Sequence, residues 1–110
     1  MTIKDINPDK VYEMTGYRPF TTFYSDFSIA DNFGLSAIKD TYNRAFEDWK
    51  SDIKYFTELV LVLNWKCWEH YDNSKPDYSS LYSDLYYKSR DYALENFKGD
   101  DFDYFYSVTD

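Results

Sequence analysis

Ile53-Lys54-Tyr55-Phe56-Thr57-Glu58-Leu59-Val60-Leu61-Val62-Leu63-Asn64-Trp65-Lys66-Cys67-Trp68-Glu69-His70-Tyr71 is the stretch whose reading decides the fold. Its centre, Leu59 to Leu63, taken alone suits a buried strand. The residues beyond it do not. Trp65, Trp68 and Tyr71 continue a helical spacing, and no turn residue interrupts them. On a helix, Ile53, Phe56, Val60, Leu63 and Cys67 share one face, while Leu61, Trp65 and Trp68 share another. A helix apolar on most sides belongs at the centre of a bundle. The expectation is an all-α fold: a compact bundle of four to five helices around a central hydrophobic helix at about 53–71.

Working upstream, Ile38, Tyr42, Ala45, Phe46 and Trp49 recur at spacings of three and four, which makes one apolar stripe. Asp40 and Arg44, four apart, can pair on the wet face. Ser51-Asp52 offers a break and a new cap. Further back, Ser25 is a candidate cap for a short turn through Asp26, Phe27, Ile29 and Ala30, with Gly34 as its stop. Arg18-Pro19 reads as an extended step. Asn7-Pro8-Asp9 reads as a helix start and Gly16 as its end.

Downstream, Asp72-Asn73-Ser74-Lys75-Pro76 is a loop, and a new helix begins at Pro76. It runs through Tyr78, Leu81, Tyr82, Leu85, Ser89, Tyr92 and Phe97 and closes at Lys98-Gly99. Asp100-Asp101 starts a last turn carrying Phe102, Phe105 and Tyr106, and Val108 to Asp110 should fray.

The length of 110 residues fits one helical domain over 1–110, and a hydrophobic share of 44% supports one core. Three glycines and three prolines leave little room for long loops. The chain holds 13 tyrosines, more than a core needs. Buried phenols must find partners, so many of these rings should sit half in and half out of the surface. Such rings suit binding surfaces.

Twenty acids against 12 bases give a formal charge of −8. Direct binding to nucleic acid needs a Lys/Arg footprint and is disfavoured, as is an anionic membrane surface. A basic protein partner is allowed. A single cysteine, Cys67, allows no internal disulfide, and Met1 to Asp5 carries no apolar run. Both point to the cytoplasm. The five-residue apolar run at Leu59 is far short of the roughly 20 residues a bilayer requires.

No catalytic motif stands out. The chain has one histidine, no GxSxG elbow and no phosphate-cradling glycine loop. Cys67 and His70, three apart with Glu69 and Asp72 nearby, are candidate metal ligands or a nucleophile pair. The bland reading is that Cys67, on the apolar stripe, is a core residue. Glu47, Asp48, Asp52 and Glu58 contain pairs of carboxylates, but such charges usually line a solvated face. The expectation is a protein without catalytic residues, metal or cofactor.

The most specific pattern is Asp77, Asp84 and Asp91, seven residues apart. On a helix they lie on one line, about 10.5 Å per step. Tyr87 and Leu94 flank the line, Glu95 extends it, and Asp100, Asp101 and Asp103 follow. From Asp77 to the end, eight acids face three bases. One reading is a wet helix face. The sharper reading is mimicry of a nucleic-acid backbone, with carboxylates taking the place of phosphates and tyrosines offering stacking contacts. The expected partner-binding set is Asp77, Asp84, Tyr87, Asp91, Glu95, Asp100, Asp101 and Asp103.

The stretch Arg18-Pro19-Phe20-Thr21-Thr22-Phe23-Tyr24-Ser25-Asp26-Phe27-Ser28-Ile29-Ala30-Asp31 resembles part of a family of small uncharacterised acidic proteins. Those proteins are carried by bacterial phages and conjugative elements. Lys39 to Phe46 and Glu58 to Lys66 resemble it too. The resemblance implies the setting of a mobile-element accessory gene, where small acidic proteins often act as anti-CRISPR or antirestriction factors. Joined to the acidic row, it implies an inhibitor of a host defence nuclease. The partner would be a basic nucleic-acid-binding protein, a Cas nuclease and first of all Cas9, whose groove the chain would fill. The alternative is a helical adaptor or regulator of the mobile element that binds through an aromatic patch at Phe20 to Phe27. A third reading is a small metal-dependent enzyme around Cys67, Glu69 and His70. The aromatic excess suits a homodimer, a point the sequence leaves open.

Overall fold

The computed structural model describes the backbone of residues 19–109 and the side chains of residues 23–109. The helix start expected at Asn7 and its end at Gly16 lie outside the described residues. Five helices follow: α1 (Pro19–Asp31), α2 (Leu35–Trp49), α3 (Ile53–Asp72), α4 (Pro76–Asn96) and α5 (Asp100–Thr109). There is no strand among the described residues. The fold is an all-α bundle.

α3 forms where the sequence placed it. The Asp52 backbone is extended, and its carboxylate accepts the Tyr55 N–H at 3.0 Å, which caps the first turn. At the other end Ser74 takes a left-handed φ of 59°, and the Lys75 N–H returns to the His70 carbonyl at 2.9 Å. Between those caps, every residue from Phe56 to Leu63 is buried. α3 touches each of the other four helices, most extensively α4.

Small residues let α4 approach closely: Ser79, Ser89 and Ala93 are all buried on its inner face beside Tyr82 and Leu85. Rings fill the space where α2, α3 and α4 meet. Phe46 lies edge-on to Phe56 at 5.6 Å and to Tyr92 at 5.0 Å, and Phe56 lies edge-on to Phe97. α5 closes the other side of α3, with Val108 buried against Leu61, Trp65 and Tyr104.

Three local expectations are corrected. α1 begins at Pro19 and runs unbroken to Asp31, so Ser25 lies inside a helix and caps nothing. Proline at the first helical position lacks only an N–H that would have had no intrahelical acceptor. Val108 does not fray; it is 3% exposed, and its burial holds the last turn to the bundle. Asp40 and Arg44 form no ion pair among the described residues, although they sit four apart on α2. Gly34 does end the α1 turn, with a φ of 106° that disfavours any residue with a Cβ.

The tyrosines divide as their amphipathic chemistry requires. Tyr42 and Tyr82 are fully buried, and each hydroxyl has a partner. Tyr71, Tyr87 and Tyr106 are exposed, and the other described tyrosines are half-buried.

Candidate functional site

The acidic row stands on α4 and α5. Asp77, Asp84, Asp91 and Glu95 are all exposed on α4, and Asp100, Asp101 and Asp103 are exposed on the first turn of α5. Tyr87 lies between Asp84 and Asp91 in the chain and is 55% exposed. None of the seven carboxylates forms an ion pair with another described residue. Four of them have a role within their own helix. Asp77, Asp100, Asp101 and Asp103 occupy first turns, where negative charge opposes the helix dipole. Asp84 and Asp91 have no such role. Glu95 sits in the last turn of α4, where a carboxylate works against the dipole.

The structure brings together a second constellation that the sequence reading did not assemble. α1, α3 and α4 converge on a buried polar seam centred on Asp31. One carboxylate oxygen of Asp31 accepts from the Lys66 ammonium at 2.6 Å and from His70 Nε2 at 2.9 Å. The other accepts from the Tyr82 hydroxyl at 2.6 Å, and the Asp31 carbonyl accepts from the Tyr78 hydroxyl at 3.3 Å. Lys66 is 1% exposed and also donates to Glu69 and, at 3.3 Å, to Ser28 Oγ. Its three N–H donors thus have three acceptors. Glu69 in turn accepts from the Tyr24 hydroxyl. The ammonium also lies 4.9 Å from the Tyr24 ring centre.

Two phenols of this seam, Tyr24 and Tyr82, hold their protons. Burial, then the bond to Glu69 and that carboxylate's charge, push Tyr24 up to about 12. Burial, with the hydrogen bond to Asp31, pushes Tyr82 up further. Both therefore act as donors at any physiological pH. The His70 ring stacks on Tyr82 with centres 5.4 Å apart and planes 7° from parallel. Its Nε2 faces an acceptor, so the proton on that nitrogen points at Asp31. Its buried Nδ1 has no hydrogen-bond partner among the described residues.

Asp31, Glu69 and His70 place one donor atom each within 4.8 Å of one another, a spacing that suits a cation. That demand is met from within, because the Lys66 ammonium already touches both carboxylates. The Cys67 thiol belongs to a different contact, 3.6 Å from Ser79 Oγ, and is not part of that cluster. Cys67 and His70 are therefore not a common ligand set. The sequence signal for the seam was Lys66, Glu69 and His70, three polar residues at helical spacing in the central helix.

Two rings of the expected aromatic patch belong to the core. Phe23 and Phe27 are 3% and 0% exposed, and Tyr24 is turned to the seam. Phe20 lies among the residues whose side chains are not described. No known protein family, curated protein or solved structure matches this chain. No helix among the described residues is long and apolar enough to cross a membrane.

Proposed function

We propose that this chain is a non-enzymatic inhibitor of a host defence nuclease. In this reading it works in the bacterial cytoplasm and fills a basic groove that normally holds nucleic acid, as an anti-CRISPR protein would. Cas9 is the first target to test. The observation that carries the reading is the run Asp84, Asp91 and Glu95: exposed, unpaired among the described residues, and without a structural role in the helix that bears it. Glu95 costs α4 a few tenths of a kcal/mol where it stands, roughly 0.3 or more.

Density limits the form of the mimicry. Duplex DNA carries one charge per about 1.7 Å of axis. The α4 row carries one per about 10.5 Å. The row is too sparse to copy a duplex and is suited to meeting separate Lys or Arg side chains along a channel. Asp100, Asp101 and Asp103 add a denser patch within one turn of α5. Tyr87 supplies an exposed ring beside the row, where it can stack on a guanidinium.

The test is charge reversal at Asp84, Asp91 and Glu95 to Lys. Lys at position 95 suits the helix terminus, so the variant should keep its helical circular dichroism. Binding to purified Cas9, measured by calorimetry, should weaken at least about tenfold. Unchanged binding by a folded variant, or no binding by the parent chain, defeats the reading for that target.

A further inference from the structure

A second surface stands apart from the acidic row. α1 and α2 enclose an open cleft of about 520 Å³. Its floor exists because Ala30, Ala37 and Ala45 face it with single methyl groups. Trp49 also lines it, and Ile29 and Phe33 stand at its lip, 59% and 76% exposed. The rim is acidic: Asp26, Asp40 and Asp48 surround a single base, Arg44. None of these four charges has an ion-pair partner among the described residues.

We propose that this cleft receives a cationic amphipathic helix of a protein partner. A groove between two helices fits one apolar face, and recognition of this kind sets anchors at helical spacing into the floor. The partner seats a hydrophobic side chain between Ile29 and Phe33 and places Lys or Arg against Asp26, Asp40 and Asp48. Charge selects this occupant over a second copy of the chain, because each copy carries a formal −8 and brings another acidic rim. The proposal does not depend on the nuclease reading, and the two surfaces are separated by the variants below.

The probe is a synthetic helical peptide with leucine on one face and lysine on the other, titrated into the full ¹⁵N-labelled chain. A peptide with the same leucine face and glutamate in place of lysine is the control. The lysine peptide should shift amides within residues 29–49, and the glutamate peptide should not. Phe33→Glu combined with Ile29→Glu should weaken binding at least about tenfold, as should Asp40→Lys with Asp48→Lys. Asp84→Lys with Asp91→Lys should leave it unchanged. Both lip residues are mostly exposed, so the variants should stay folded; Phe33→Ser is the substitute if helical signal is lost. Three results overturn the proposal. One is no binding. Another is shifts confined to α4 and α5 with no response to the lip variants, which assigns the attraction to bulk charge. The last is a concentration-dependent dimer in sedimentation equilibrium that Phe33→Glu dissolves, which gives the face to a second copy.

Discussion

Lys66 and Glu58 lie two turns apart on α3, and both are buried charges met in opposite ways. Lys66 is surrounded by acceptors from α1 and α3. Removing one member of such a pair leaves the other uncompensated, which costs more than the pair contributes. Lys66→Met should therefore destabilise the fold by about 3–5 kcal/mol, read by urea denaturation. A cost below 1 kcal/mol, roughly that of an exposed ion pair, would show that water reaches Asp31 and Glu69. Glu58 is 4% exposed, and burial alone pushes its carboxyl up to about 7. The folded state then holds the proton more tightly than the unfolded chain, whose ordinary value is 4.5. The contribution of Glu58 to stability is greatest below pH 4.5, falls as pH rises from about 4.5 to 7, and levels off above that. Glu58→Gln should raise stability by about 1–3 kcal/mol at pH 8 and change little near pH 4. An equal effect at both pH values would mean that the carboxylate is solvated. Neither role was legible in the sequence. Glu58 read there as one of several carboxylates on a solvated face, which its burial corrects, and the partners of Lys66 at Ser28 and Asp31 lie far along the chain.

At the scale of the element, local signals and outcomes agree where the signal is a spacing or a cap. α2, α3 and α4 follow their apolar periodicity, and Pro76 and Asp52 start their helices as their chemistry requires. The Asp52 cap satisfies an amide of the first turn of α3 at 3.0 Å. Asp52→Ala should cost about 1 kcal/mol, measured by thermal or urea unfolding, and Asp52→Asn should restore most of it. Failure of Asn to rescue would show that the charge, and not the hydrogen bond, stabilises the end. The signals failed where tertiary contact outweighs local preference. Ser25 is a good cap in isolation, but α1 runs through it because Phe23, Phe27 and Ala30 are pulled into the core on one face. Val108 belongs to a segment that should fray, and burial against Leu61, Trp65 and Tyr104 holds it. The seven-residue spacing of Asp77, Asp84 and Asp91 placed them on one exposed line, because spacing on a helix is geometry the sequence carries directly.

The whole molecule carries a formal charge of −8, and its acids are not spread evenly by role. Some neutralise helix dipoles, some are consumed in the seam, and some stand unpaired on α4 and around the α1–α2 cleft. Among the described residues, the last group and the exposed first-turn acids of α5 are without an ion-pair partner. This divides the two proposed surfaces by their response to salt. Binding through the α4 row, being charge on charge in water, should lose affinity steeply as ionic strength rises and the screening length falls to about 8 Å at 0.15 M. Binding in the cleft should fall less, because Ile29 and Phe33 contribute apolar burial that salt does not screen. Which surface dominates with a given partner is therefore measurable from the slope of affinity against salt. The sequence by itself determined the helical class, the central place of α3, the caps at Asp52 and Pro76, and the line of carboxylates on α4. Each follows from periodicity or from chemistry within a few residues. The tertiary structure decided the rest: which aromatic rings are surface and which are core, that Lys66 rather than an external ion balances Asp31 and Glu69, and that alanines on two helices leave a cleft. Those depend on side chains up to 51 positions apart meeting in space, as Asp31 and Tyr82 do, and no local pattern encodes which distant residue will supply the missing partner.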